Sequence, residues 1–442
     1  MISASPMTVF ILMLIGLMLG IFSGYYLFVI LGGLGVIFGY IFWGPGVVNM
    51  IFLNVFGTMK NYTLLAIPLF IFMGNMLEIS GVAEKLFKIL GITLGGLRGG
   101  LAVAALVISI LFAATTGVVG ASVVTMGLLF LPAMLRNNYD KGLASGVICA
   151  GGTLGILIPP SIMLVVYGPA AGISVGRLFY AALVPGVLMG LMYITYVLVR
   201  AYLNPEFAPP LPLEERQKYT TKEKFLGIII NVLPVFAIIL AVLGAIWFGI
   251  APPTEAAAIG AFASMIVALI YGKLSVKVLK DTLYRTLQTS SMIYMVIIFA
   301  GLFVGVFMRL GGDQVVKQAL LGLPFGKWGI FAVMMLVVFI LGFLMDWIAS
   351  LLIIVPIFTP IAATLGFNPI WFAATVCIMY QTSFLTPPFA YAIFYLKGIA
   401  PPEVTTKDII KGVWPFVLIQ LFTVLLVTVF PQIILWLPNK IM

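Results

Sequence analysis

The sequence of 442 residues predicts an all-α polytopic membrane protein made of two inverted repeats, each with a re-entrant helical hairpin and a broken transmembrane helix. Composition, an internal repeat and the placement of charge predict it. Hydrophobic residues make up 63% of the chain and charged residues 8%, whereas soluble domains carry roughly 25% charged residues. The apolar stretches have helical length, and the roughly 10-residue alternating segments of a membrane β-barrel are absent. A step of 228 residues carries Ala121-Ser122 onto Ala349-Ser350, Pro132 onto Pro360, Cys149 onto Cys377, Pro159-Pro160 onto Pro387-Pro388 and Tyr167 onto Tyr395.

The elements follow in order. The stretch 7–22 lacks a cationic leader and a cleavage site, and another apolar stretch follows at once, so it reads as a permanent span. Further spans are expected near 26–43, 61–80, 141–169, 178–200, 225–250, 253–272, 289–308, 368–396 and 413–437. Segments 101–135 and 329–364 are too long for one crossing: 35 helical residues measure about 52 Å against a hydrocarbon core of about 30 Å. Folded in two they become hairpins. Folding also keeps Arg98, Arg136 and Lys141 on one face. Breaks at 115–122 and 345–350 supply the tips, and irregular backbone at that depth has to be buried in protein or line a polar cavity. Segments 45–58, 82–95, 274–287 and 403–412 mix apolar and charged residues and suit helices lying along the interface.

Five crossings and one hairpin per half force the second copy to enter from the opposite side. The repeats are therefore expected at 1–224 and 225–442, with broken helices at 141–169 and 368–396 and a linker at 201–224. Placing that linker in the cytoplasm puts all of the 23 Lys and Arg residues there except Lys60, Arg177, Arg309, Lys317, Lys327 and Lys440. That bias follows the positive-inside rule and sets both termini on the periplasmic side. It also accounts for the net charge of +10 without a nucleic-acid partner. The chain has no histidine, which removes the commonest general base and zinc ligand. Its two cysteines occupy matching positions and read as packing residues. Glu255 reads as a helix-start residue and Glu78 as interfacial.

The chemistry lies at the breaks. Gly151-Gly152-Thr153 leads to Pro159-Pro160-Ser161 in one half, and Tyr380-Gln381-Thr382-Ser383 leads to Thr386-Pro387-Pro388 in the other. Proline removes a donor and glycine tolerates unwound geometry, so carbonyls are released from helical bonding. Released carbonyls and hydroxyls suit a sodium ion, and the following half-helix begins with unpaired N–H groups that suit a carboxylate. Asp346, a carboxylate at membrane depth, reads as functional by default with a cation as partner. Ser122 and Ser350 recur symmetrically at the hairpin tips, although serine in a membrane bundle also serves packing.

These strings carry a family resemblance over essentially the whole chain. The run from Ala113 through Ala121-Ser122 to Pro132, then Gly152-Thr153 to Pro159-Pro160-Ser161, resembles the large membrane subunit of tripartite ATP-independent periplasmic (TRAP) transporters. So does Asp346…Ser350…Pro356…Pro360 followed by Thr386-Pro387-Pro388. The resemblance implies an elevator-type, sodium-driven secondary transporter in the bacterial or archaeal cytoplasmic membrane, receiving an organic acid from a periplasmic binding protein. It also implies a small four-helix membrane subunit, expected as a separate chain. Ser174 to Phe179 and Ala208-Pro209-Pro210 look like a subgroup labelled for mannitol or chloroaromatic compounds, some members of which serve 2-oxo acids.

The resemblance implies two or more sodium sites. The expected ligands are Gly117, Ser122, Gly152, Thr153 and Ile158 for one, and Asp346, Ser350, Thr382, Ser383 and Thr386 for the other. Thr116, Ser122, Ser161, Ser350 and Thr386 are the expected substrate contacts. No arginine is expected at mid-membrane depth, so bound sodium would supply the positive field that a dehydrated anion needs. Three alternatives remain: a stand-alone carboxylate carrier, an intramembrane enzyme, and a passive channel, which two occluded broken-helix sites suit poorly.

Overall fold

The computed structural model describes residues 4–116, 119–217 and 219–441, and the side chains of residues 113–116 lie outside the description. Helices α1 (Pro6–Phe22), α2 (Leu27–Phe42), α3 (Gly46–Met59), α4 (Ala66–Ile79) and α5 (Val82–Leu94) lead to a first hairpin, α6 (Gly100–Thr116) and α7 (Val119–Arg136). A broken helix follows as α8 (Lys141–Thr153) and α9 (Ile162–Ala171), then α10 (Val175–Leu203) and the short α11 (Leu213–Arg216). The order then recurs. Helices α12 (Thr221–Trp247), α13 (Pro253–Ile270), α14 (Val276–Arg309) and α15 (Gly312–Leu321) precede a second hairpin, α16 (Lys327–Leu344) and α17 (Trp347–Thr364). The second broken helix is α18 (Pro369–Ser383) and α19 (Tyr391–Ile399), and α20 (Thr406–Val429) and α21 (Gln432–Ile441) complete the chain. Among the described residues no strand occurs, and nine helices are long and apolar enough to cross a membrane.

Local chemistry sets the boundaries. Asp140 caps α8 by accepting from Leu143 N at 2.8 Å, and Asn368 caps α18 by accepting from Ile370 N at 2.9 Å. Reciprocal capping boxes start α12 at Thr220 and Glu223 and α20 at Thr405 and Asp408, each satisfying two orphan donors. The hairpin arms have 17 or 18 residues, about 26–27 Å of helix, close to the thickness of the hydrocarbon core.

Two expected boundaries differ. Segment 274–287 is not a separate interfacial helix; it is the first third of α14, a single helix of 34 residues. Segment 403–412 likewise runs into α20, whose capping box lies upstream of the apolar stretch, and the real break falls at Phe430-Pro431. A fall in hydropathy marks where a helix leaves the apolar layer, and nothing in 276–300 interrupts its backbone bonds. Segments 45–58 and 82–95 do form separate helices, α3 and α5.

The helices pack as a frame of α1–α4 and α12–α14 around an inner bundle of the hairpins, the broken helices, α10 and α20. Contacts between the halves come in exchanged pairs: α2 on α14 and α13 on α4, α1 on α15 and α12 on α5, α9 on α17 and α19 on α7. Helix direction follows from three contacts. Lys141 Nζ donates to Glu403 O at 2.9 Å, which puts the start of α8 beside the start of α20. Trp371 Nε1 donates to Val427 O at 2.8 Å, which puts the start of α18 beside the end of α20. Lys397 Nζ donates to Val404 O at 2.8 Å, closing the short link from α19 into α20. The two broken helices therefore run in opposite directions.

Between residues 204 and 220 the linker folds back on the first hairpin. Gly99 N donates to Ala208 O at 2.9 Å, Asp140 N to Phe207 O at 2.8 Å and Leu211 N to Gly95 O at 2.8 Å. Both ends of the hairpin are thus pinned to the linker.

Helices α8 and α20 meet backbone to backbone. A Cβ on Gly412 would lie 1.9 Å from the Gly142 carbonyl oxygen, and one on Gly146 would lie 2.2 Å from that of Gly412. Such small-residue contacts let membrane helices approach closely. Gly412→Ala should therefore destabilise the purified protein by about 1–3 kcal/mol, read as a lower melting temperature in detergent. Gly57→Ala, which meets open space, should leave it within about 0.5 kcal/mol.

Candidate functional site

The two breaks solve one problem in two ways. In a continuous helix the N–H of residue 160 would serve the carbonyl of Ile156, and proline has none. The Ser161 hydroxyl donates to Ile156 O instead and also accepts from Leu164 N at 3.4 Å, capping α9. In the second half Pro388 leaves the Phe384 carbonyl without its donor, and Ala392 N supplies one at 3.1 Å. Both Pro-Pro bonds are cis. Among the described residues no hydrogen-bond donor meets the carbonyls of Leu157, Ile158 and Pro159, nor those of Leu385, Thr386 and Pro387. These two triplets are related by the 228-residue step.

Hydroxyls around the breaks are buried and have their protons directed elsewhere. Thr153 donates to Ala150 O at 2.8 Å, Thr382 to Met379 O at 2.7 Å, Ser383 to Tyr380 O at 2.6 Å and Thr386 to Thr382 O at 2.6 Å. A hydroxyl oxygen whose proton is engaged keeps its remaining acceptor capacity for another partner. Released carbonyls, hydroxyl oxygens and one carboxylate together make a donor set that fits a hard monovalent cation. Among the described residues no three His, Cys, Asp or Glu side chains gather.

Each hairpin tip packs on the break of its own half. At the second, Asp346 caps α17 by accepting from Ile348 N at 3.0 Å. The hydroxyls of Ser350 and Tyr380 are 2.8 Å apart. A Cβ on Gly342 of α16 would lie 2.8 Å from Ser383 Cβ. At the first, Ser122 is buried in α7, and a Cβ on Gly152 would lie 2.4 Å from Val123 Cγ2. Glycine at 152 is what lets α8 reach that tip. Gly117 and the side chain of Thr116 lie outside the described residues.

Helix α19 of the second half packs on the first tip, where the Tyr395 ring would lie 2.9 Å from a Cβ on Gly120 of α7. Exposure separates the halves. The first break is buried from Gly151 through Ser161, whereas Pro387 and Pro388 are exposed, and Tyr395 is 44% exposed where its counterpart Tyr167 is 0%. Helix α19 has Ala390 (φ 27°) at its N-cap and no side-chain cap, unlike α9. The first break is thus enclosed, and the second is partly exposed along α19.

Several contacts lay beyond sequence reasoning. Tyr380, the partner of Ser350, falls at the position of Gly152 in the 228-residue step, a substitution that marks the second site as chemically different. Glu78, expected at the interface, is half-buried at the end of α4 and accepts from the Thr125 hydroxyl of α7 at 2.8 Å, joining frame to hairpin. Tyr193 and Gln420, bonded at 2.9 Å across α10 and α20, gave no motif.

Comparison with known proteins extends the likeness to the whole chain. Residues 7–433 match the family model described as "Tripartite ATP-independent periplasmic transporter, DctM component". The "C4-dicarboxylate TRAP transporter large permease protein DctM" of Pseudomonas aeruginosa is 34% identical over 398 residues, 89% of this chain and 90% of that protein. The "Isethionate TRAP transporter permease protein DctMQ" of Oleidesulfovibrio alaskensis is 30% identical over 86% of this chain and 58% of its own length. In fold, the chain superposes on the Alcanivorax borkumensis YdaH transporter with a TM-score of 0.61 at 14% identity, covering 97% of this chain and 98% of the other. Relatives at this identity and coverage carry the names of permeases rather than enzymes, and the chain belongs to the DctM family of TRAP transporter large permeases.

Proposed function

We propose that this multi-pass permease carries a small organic acid across the cytoplasmic membrane together with two or more sodium ions. The observation that carries the reading is the pair of carbonyl triplets, 157–159 and 385–387, each without a donor among the described residues and each beside a hairpin tip. One ion is assigned to Gly117, Ser122, Gly152, Thr153 and Ile158, and another to Asp346, Ser350, Thr382, Ser383 and Thr386. Ser161 has both its donor and an acceptor position engaged in capping α9, so the carboxylate is better placed at the uncapped start of α19 with Ser350 and Thr386. The relatives' names include a dicarboxylate and a sulfonate, and a small organic anion is the common chemistry. Alternating access is assigned to travel of the inner bundle against the frame, with two inverted repeats giving two equivalent extremes. A periplasmic binding protein and a small membrane subunit complete the carrier.

Asp346→Asn preserves an N-cap acceptor and removes the charge. Sodium affinity at the second site should fall by about 10²-fold, as losing a charged partner of about 2–3 kcal/mol requires, with insertion and assembly intact. Normal sodium dependence of uptake in proteoliposomes would remove Asp346 from coupling. Ser122→Ala and Ser350→Ala, made singly, should each raise the half-saturating sodium concentration by roughly fivefold; a lower melting temperature with unchanged sodium dependence would assign both serines to packing. With both membrane subunits reconstituted, uptake of 2-oxo acids, dicarboxylates or sugar acids should require the binding protein. Equal uptake without it would favour a stand-alone carrier.

A further inference from the structure

We propose that Tyr380 is a positioning residue for the second site, holding the Ser350 hydroxyl so that one oxygen serves the cation and the organic acid together. The inference rests on the sodium reading above. Tyr380 and Ser350 both have zero exposure, and their hydroxyl oxygens are 2.8 Å apart. Among the described residues neither hydroxyl has another hydrogen-bond partner, so the pair holds two protons and makes one bond. The phenol is the stronger acid and the better donor, and the aliphatic oxygen is the better acceptor, so Tyr380 donates to Ser350. That leaves Ser350 with one proton to give and one lone pair to offer. A carboxylate on the proton and a cation on the lone pair then meet at the same atom, with the hydroxyl fixed in space rather than free to rotate.

Geometry sets the pair apart from ordinary packing. Ser350 follows Asp346 by one turn of α17, its N–H donating to the Asp346 carbonyl at 3.0 Å, so hydroxyl and capping carboxylate share the tip end of the hairpin arm. Tyr380 reaches both elements of the site: its hydroxyl meets Ser350 on α17, and its backbone carbonyl accepts the Ser383 proton at 2.6 Å on α18. One residue thus holds a hydroxyl on the hairpin and another on the broken helix. A glycine seats its ring, since a Cβ on Gly342 of α16 would lie 3.3 Å from Tyr380 Cδ1. The 228-residue step places Ser122 at Ser350 but Gly152 at Tyr380, and a Cβ on Gly152 would lie 2.4 Å from Val123 Cγ2. No phenol fits there, so the tie between ion and acid belongs to the second site alone.

The test uses the full chain with its small membrane subunit, and the acid is the one that the wild type takes up fastest from a panel of 2-oxo acids, dicarboxylates and sugar acids. Tyr380→Phe keeps the ring and removes the hydroxyl. Sodium chloride replacing choline chloride, with and without the acid, is titrated by melting temperature. The half-saturating sodium concentration should rise by roughly fivefold in the variant, and the factor by which saturating sodium lowers the half-saturating acid concentration should shrink by a similar amount. Ser350→Ala should do the same, and the double variant should be no worse than either single one. A lower melting temperature in choline with an unchanged linkage between sodium and acid, or additive effects in the double variant, would overturn the proposal. A wild-type protein that takes up none of these acids, or does so without regard to sodium, would overturn the sodium reading together with it.

Discussion

Everything in this structure turns on where the backbone carbonyls go. A membrane-spanning segment has no water to bond with, so each peptide group has to find a partner within the protein. The chain meets that demand with helices everywhere except at two breaks, and there it substitutes only part of what proline removes. Ser161 replaces the missing donor for Ile156, and Ala392 N replaces the one for Phe384. The next three carbonyls of each break meet no donor among the described residues. The first hairpin and the glycine at 152 bury the first three, and the second break leaves Pro387 exposed.

Duplication supplies the symmetry, and the differences between the copies supply the chemistry. Exchanged contacts such as α2 on α14 and α13 on α4 make the frame self-complementary. Within it, one break is polar through glycine, Thr153 and a serine cap. The other has Asp346, the Ser350 and Tyr380 pair, and an uncapped half-helix that opens along α19. On the proposed reading, a cation site with a carboxylate and one without would differ in affinity, and such a pair would fill in order.

Much of this was legible in the sequence because its signals are local. Proline pairs, glycines and a repeated step located both breaks and both hairpins to within a few residues, and Asp346 declared itself by being charged at that depth. Hydropathy was less reliable for helix ends. It separated 274–287 from 289–308, although α14 runs through both, because a helix can leave the apolar layer without stopping. The contacts that needed interhelical register were not legible at all. Gly146 against Gly412, Glu78 with Thr125, and Tyr193 with Gln420 each join residues that no spacing rule brings together.

The linker bonded to the base of the first hairpin has a mechanical meaning. Gly95, Gly99 and Asp140 hold it as far as Leu211, so on the proposed alternating access those residues would travel with the hairpin, while α12 from Thr221 onward packs with the frame. Only residues 212–220 are left to act as the tether between the two bodies. Even fully extended they span about 30 Å, and less while α11 stays wound. On the proposed alternating access, the stroke would be bounded by a short length of chain on the face where the halves are joined.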